Sequence, residues 1–361
     1  MYETRIAADH LTVVATSGLA PEIDTLAACN LSGHGFLRRS WYAAGSNPAR
    51  ARTLILRNPS GAPLAAIPTV PFGPAIAGAR KVPGPYWPLR APLISPDCSA
   101  FELAQALGHP AATQLGSVWR VGPARAGDPS TERLVAAAQL AGWTVLRRPA
   151  GTSWVIDCTG GEWPRASTAK RLARIERRLA QVGTVGWRHV RGGAWSDAVL
   201  DELGAVEAAS WIAATTDGSG AKFLTPQQRA AWRTALADPV IADMLCATLL
   251  TVDSRAAAFS FDLDDGPVRY GIAGSYVSAL AKHEIGKLAN HRAVSDAIAA
   301  GQACVDLGCG NSGYKSEMGA VAGYDLADLL FVRNRTAARL LARVWGAPFE
   351  LRAAITEAAG G

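Results

Sequence analysis

The sequence predicts a mixed α/β protein of two lobes, and three observations predict it. The first is length: 361 residues exceed what one small core organises and, at about 150 residues per domain, suggest two. The second is balance. Hydrophobic residues make up 49% and charged residues 18%, the opposite of a disordered composition. The third is rhythm, because strand-like and helix-like stretches alternate through both halves without a short repeat.

In the first half, Thr53–Arg57 and Pro63–Val70 flank the turn Asn58-Pro59-Ser60-Gly61 and read as a hairpin. Ala100–Leu107 reads as a helix and Ser117–Val121 as a short strand. Ser130–Ala141 is a second helix closed by Gly142, followed by strands at Trp143–Arg147 and Trp154–Cys158. The clearest helix spans 165–182. Leu172, Ile175, Leu179 and Val182 recur at spacings of three and four on one face. Lys170, Arg171, Arg174, Arg177 and Arg178 take much of the remaining surface, and Gly183 closes the helix. This helix divides the chain into an expected first lobe over 1–160, a basic bridge over 161–182 and a second lobe over 183–361.

The second half repeats the mixed pattern. A strand at Thr184–Val190 precedes a helix over Asp197–Trp211, a Gly/Thr/Ser-rich loop at Ala213–Ala221, and a helix near Pro226–Ala237. Strands follow at Leu245–Val252, Ala257–Leu263 and Val268–Val277. In the middle one, Phe259, Phe261 and Leu263 alternate with Ser260 and Asp262, a one-sided pattern. Asp264-Asp265-Gly266-Pro267 makes the hairpin turn. A loop at Ser278–Gly286 then opens a helix over Lys287–Ala300, and a strand at Ala303–Leu307 follows.

Composition excludes several classes. The first residues carry charges where an export signal needs an apolar run, so a cytoplasmic chain is expected. Asn58–Ala79 is uncharged, but its prolines remove backbone donors that a membrane span must satisfy internally, so no span is expected. The six cysteines contain no Cys-x-x-Cys pair and are expected to be reduced. The six histidines show no metal-ligand spacing, and no metal is expected. The net charge of +6 comes without a nucleic-acid docking motif. A small anionic substrate or plain solubility explains it equally well.

Two segments carry candidate chemistry. Gly308-Cys309-Gly310-Asn311-Ser312-Gly313, after Val305-Asp306-Leu307, matches a dinucleotide or S-adenosylmethionine fingerprint. Such a fingerprint belongs early in a βαβ unit with further sheet after it. Too little chain remains for that, so the match is read as a decoy. The other segment is the loop Ala281–Lys287 at a helix start, where free backbone N–H groups and the helix dipole suit phosphate. Gly286 permits close approach, and Lys282, His283 and Lys287 add positive charge; an ordinary capping loop is the competing account.

From about Trp163 to Leu330 the sequence resembles the CelD-like acetyltransferase domain, a branch of the GNAT superfamily close to the FemAB aminoacyl transferases. The basic helix Lys170–Leu179 stands before a glycine and a strand. Glu207-Ala208-Ala209-Ser210-Trp211 precedes Lys222-Phe223. The loop before Lys287 takes the place where relatives read Ser-Pro-Gly, here Glu284-Ile285-Gly286. Val305-Asp306-Leu307-Gly308 leads to Gly313-Tyr314-Lys315.

The resemblance implies tandem GNAT-like lobes, the first one degenerate. It implies an acyltransferase that uses acetyl-CoA or another acyl-CoA on a small, possibly anionic sugar or envelope-precursor acceptor. The pantetheine arm would lie along Val268–Val277, including Ile272, with the pyrophosphate at His283, Gly286, Lys287 and Leu288. Asp306 would act as base or orient Lys315; Tyr314 would protonate the leaving thiolate; Lys315 would stabilise the oxyanion or hold the acceptor. Trp211, Lys222 and Phe223 would line the acceptor pocket. An aminoacyl transferase using charged tRNA, and a methyltransferase using S-adenosylmethionine at Asp306 and Gly308–Gly313, stay open as alternatives. Oligomeric state is not legible.

Overall fold

The computed structural model describes residues 11–29, 33–73, 78–85, 89–160, 163–215, 220–311 and 313–345. The first ten residues, residues 216–219 of the Gly/Thr/Ser-rich loop, and Ser312 of the glycine-rich motif lie outside that set. The chain divides into two units, one of residues 1–152 with 324–361 and one of residues 153–323.

The first stretch runs β1 (Thr12–Ser17), α1 (Glu22–Ala28), α2 (Arg39–Ala43), β2 (Arg52–Arg57), β3 (Pro63–Pro71), β4 (Ala79–Lys81) and β5 (Leu93–Ile94). It continues through α3 (Ala100–Gly108), α4 (Pro110–Thr113), β6 (Val118–Arg125), α5 (Pro129–Leu140) and β7 (Thr144–Asp157). The central stretch holds α6 (Ala166–Leu179), β8 (Val185–Arg191), α7 (Asp197–Ala208), α8 (Trp211–Thr215), α9 (Pro226–Leu236) and α10 (Pro239–Met244). After these come β9 (Leu245–Val252), β10 (Arg255–Asp265), β11 (Val268–Tyr276), α11 (Ile285–Ala299), β12 (Cys304–Cys309) and α12 (Tyr314–Glu317). The chain closes with β13 (Val321–Val332) and α13 (Arg335–Trp345).

In the first unit the strand order is β1-β2-β3-β4-β6-β13, with β5 beside β3. The β2–β3 hairpin forms where the sequence predicts it, because Asn58 Oδ1 accepts the Ala62 amide at 2.9 Å and Gly61 takes the positive φ of +85° that the turn needs. Ser99 and Glu102 form a reciprocal capping box at the start of α3. Asp128 caps α5 and also meets His34 Nε2 at 2.6 Å. Asp328 on β13 is buried and takes hydrogen bonds from Arg120 (3.0 and 2.9 Å) and Arg148 (3.2 and 2.7 Å). A buried carboxylate needs such partners.

The second unit orders its strands β7-β12-β11-β10-β9-β8. Here β8 to β11 run antiparallel in sequence, and β11 then pairs in parallel with β12 across α11. The first unit repeats that plan, with β1 to β4 antiparallel and β4 parallel to β6. Phe223, Trp232, Phe259 and Phe261 form an aromatic cluster with centroids 4.7 to 6.0 Å apart, edge-on except for the tilted Phe223–Trp232 pair, supporting the β10 face on one side. On another side Ile175 and Leu179 of α6 pack with Leu250, Ala258, Ile285 and Leu288.

Several boundaries differ from expectation. The basic helix packs as part of the second unit, and Val182, past its last turn, is exposed. Residues 324–361 group with the first unit, since β13 pairs with β6 there. The expected strands at 143–147 and 154–158 are one long β7, for a proline is compatible with an extended run where no ladder donor is needed. The helix expected over 197–211 stops at Ala208, because Ser210 Oγ donates to the Glu207 carbonyl at 2.7 Å and accepts the Ile212 amide at 3.2 Å, capping α8 instead. Among the described residues no helix is long and apolar enough to cross a membrane.

Candidate active site

The site is made by an interrupted strand pair. β11 pairs with β10 along its length, with a register shift that leaves Ile272 unopposed between the Phe261–Ala273 and Asp262–Gly271 pairs. Its parallel pairing with β12 covers only Val268–Tyr270 against Cys304–Asp306. Past that point the ladder ends, and a cavity of about 620 Å³ is lined by Gly271, Ile272 and Gly274 on one side and Val305 and Leu307 on the other. The start of α11 supplies Gly286 and Lys287 to the same cavity.

That helix begins at Glu284, a non-glycine residue at φ 54°, with no side-chain cap. The first amides of an uncapped helix are orphan donors. Gly286 is required by its neighbour: a Cβ there would stand 2.7 Å from Cδ1 of Tyr276. Glu284 meets Arg171 at 2.6 Å, Lys287 at 3.4 Å and Arg178 at 3.9 Å, and Lys287 also meets Glu317 at 2.7 Å. Burial pushes the Glu284 carboxyl up, but Arg171 and Lys287 outweigh it and hold it below its ordinary value. Of the residues expected at the pyrophosphate, Gly286 and Lys287 line the cavity. His283 ends the preceding 3₁₀ turn and does not line it. Leu288 is 5% exposed and belongs to the apolar cluster under the helix.

At the end of β12 the three expected catalytic residues come together, in unequal positions. Tyr314 lines the cavity. Asp306 is buried, with its Oδ1 accepting from Ser153 Oγ and from the Gly308 amide at 2.7 Å. Lys315 is buried outside the cavity lining, its Nζ donating to the carbonyls of Gly308 (2.9 Å) and Cys309 (3.0 Å). Burial pulls its ammonium down to about 8, against the pull of Asp306. The glycine-rich segment thus ends on a lysine tether. The helix after it, α12, has four residues, too short for a dinucleotide-binding helix.

On the acceptor side, Trp211 lines the cavity and is 47% exposed. Phe223 is fully buried in the aromatic cluster instead of at the cavity, and Lys222 is also outside the lining. Their fixed point is Glu207, whose buried carboxylate accepts the Lys222 amide (2.9 and 3.1 Å) and the Phe223 amide (2.6 Å). The motif linking Glu207 to Lys222-Phe223 therefore ties a loop to α7.

One residue at the cavity was not singled out from sequence. Asp262 on β10 is 3% exposed and lines the cavity. Its Oδ1 accepts from Ser260 Oγ at 3.0 Å, while Oδ2 is buried without a hydrogen-bond partner. Burial drives its carboxyl up to about 7, although Arg269 opposes the shift.

Comparison with known proteins agrees with this geometry. Residues 166–316 match the acetyltransferase (GNAT) domain family. No curated protein matches in sequence. Among solved structures, FemX superposes with a TM-score of 0.54 at 9% identity, over 91% of this chain and 99% of that one. L-PGS from Bacillus licheniformis gives 0.52 at 13%, over 82% and 88%. A tandem GNAT protein from the clavulanic acid biosynthesis pathway gives 0.50 at 14%, over 90% and 99%. At such identities the likeness is one of fold.

Proposed function

We propose, from the match of residues 166–316 to the acetyltransferase (GNAT) domain family, that the chain moves an acyl group from acyl-CoA to the nitrogen or oxygen of a small acceptor in the cytoplasm. The observation that carries the reading is the opening of β11 from β12 beside the uncapped start of α11. A strand edge released from its ladder offers backbone donors and acceptors to an amide-bearing arm, and a helix N-terminus suits phosphate. Gly286 brings that backbone close, and Lys287 adds charge. The carboxylate of Glu284 would oppose an anion, but Arg171, Arg178 and Lys287 surround it.

In this reading Ile272 flanks the donor's arm and Tyr314 stands where a departing thiolate needs a proton. Lys315 and Asp306 act as positioning residues that shape the turn after β12, and Trp211 flanks the acceptor's entry. A sugar or envelope-precursor acceptor, as the resemblance implies, defines the first screen.

Thermal unfolding with acetyl-CoA, CoA, S-adenosylmethionine and no ligand tests the donor. A ligand at 100 times its Kd stabilises by about 2.7 kcal/mol. Stabilisation by the CoA compounds alone is expected; stabilisation by S-adenosylmethionine alone would sink the reading. A second reading, aminoacyl transfer from charged tRNA, is favoured by the exposed cations Lys170, Arg174 and Arg177 on α6. It predicts activity that RNase abolishes.

A further inference from the structure

We propose that α13 is a membrane-docking face, by which the protein rests on a lipid surface rich in anionic headgroups. The helix belongs to the first unit, whereas every residue lining the acyl-transfer cavity belongs to the second. Docking and acyl transfer are therefore tested separately.

The first observation is where the charge sits. Residues 1–152 with 324–361 hold 19 Lys and Arg against 12 Asp and Glu, a net +7. Residues 153–323 hold 17 against 18, a net −1. The excess of positive charge thus lies wholly in the first unit, and so uneven a division points to an anionic partner.

The second is the pattern of α13 itself, Arg335-Thr336-Ala337-Ala338-Arg339-Leu340-Leu341-Ala342-Arg343-Val344-Trp345, which has no acidic residue. Asn334 caps it, accepting the Ala337 amide at 2.9 Å. Spacings of four align Arg335, Arg339 and Arg343 in one row and Leu340 and Val344 in the next. None of the three arginines meets a carboxylate among the described residues.

The third is burial. The inner side of the helix is already occupied, with Ala338, Leu341 and Trp345 packed on Leu330 and Val332. Leu340 nevertheless stays 60% exposed and Val344 76%. These two side chains are outside the core and beside the arginine row. The basic helix α6 differs on both counts. Its Ile175 and Leu179 are buried in the second unit's core, and its Arg171 and Arg178 face Glu284. It presents charge without an apolar row.

The pairing of rows selects the partner. A polynucleotide would engage the arginines and leave Leu340 and Val344 in water. A symmetric contact with a second copy would bring two arginine rows together. At a bilayer interface both rows are used: guanidinium groups reach headgroup phosphates while the apolar side chains enter the acyl boundary next to them.

Co-sedimentation of the full chain with vesicles tests this, using phosphatidylcholine alone and phosphatidylcholine mixed with phosphatidylglycerol. The protein is expected to pellet with the mixed vesicles and not with the neutral ones at about 0.1 M salt, and to be released at about 1 M, where the screening length falls to about 3 Å. Each arginine at an anionic surface raises partitioning about fivefold, so Arg335→Gln/Arg339→Gln/Arg343→Gln should lower it about 100-fold. Leu340→Ser/Val344→Ser should lower it about tenfold. Both variants keep the wild-type melting temperature, since the replaced side chains face water. Lys170→Gln/Arg174→Gln/Arg177→Gln on α6 leaves partitioning unchanged.

Equal binding to both kinds of vesicle, binding to neither, or binding that survives high salt would overturn the proposal. So would retention of binding in either α13 variant, or its loss in the α6 variant. A dimer in analytical ultracentrifugation that Leu340→Ser/Val344→Ser splits would also overturn it, because a second copy then covers the face.

Discussion

A carboxyl that keeps its proton to about pH 7 in the fold, while an ordinary one releases it near 3.8, makes stability depend on pH in a particular direction. Between those values the folded chain binds a proton at Asp262 that the unfolded chain has lost. Stability therefore falls as pH rises through the window, by on the order of 4 kcal/mol if the whole shift is expressed. Asp262→Asn removes this titration. Its melting temperature relative to wild type should climb between pH 4.5 and pH 7.5, and a gap constant across that range would show that Asp262 ionises normally. The one-sided alternation of Phe259, Phe261 and Leu263 already set Ser260 and Asp262 on the opposite strand face. A pattern of period two does not say whether that face meets water or a helix, and here α11 packs against β10. Phe223 shows the converse: an aromatic side chain beside a loop looks like a pocket wall in sequence, but its ring sits 5.0 Å from that of Phe261.

At the scale of elements, α11 and β11 were legible nearly to the residue, because glycine, charge and apolar spacing agree there. The divergence of β11 from β12 was not, since ladder partners lie far apart in the chain and no local pattern records where pairing stops. Gly286 links the two elements. Gly286→Ala would place a methyl against the Tyr276 ring at 2.7 and 3.1 Å, forcing the ring or the helix to shift at a cost of about 1–3 kcal/mol. Tyr276 also lines the cavity, so calorimetry should show weaker acetyl-CoA binding along with lower thermal stability. Unchanged affinity in a destabilised variant would separate packing from binding. The β7 strand taught a different lesson: two strands were expected at 143–147 and 154–158, but the chain runs extended through Pro149 and Gly151 between them.

At the scale of the whole molecule, the chain has the fold of tandem GNAT-like lobes. Each unit repeats four antiparallel strands followed by a parallel partner, and that repetition left only a shared rhythm in the sequence. The junctions were hidden because β13 follows the second unit in sequence but pairs with β6. A fragment of residues 1–160 would bury Arg120 and Arg148 without Asp328, a loss of about 3–5 kcal/mol for a broken buried pair. Joining residue 152 directly to 324 keeps Asp328 in place. The joined chain should show a cooperative circular-dichroism melt and the fragment none; equal melts would mean that β13 is dispensable to the first unit.

The same connectivity sets an order of events at the ribosome. Synthesis delivers residues 1–152 first, yet β6 waits for β13, the latest strand to emerge. Residues 153–323 are all available before that strand appears. The part of the protein translated first is therefore among the last to be completed, and during translation its unpaired β6 edge is what a chaperone would meet.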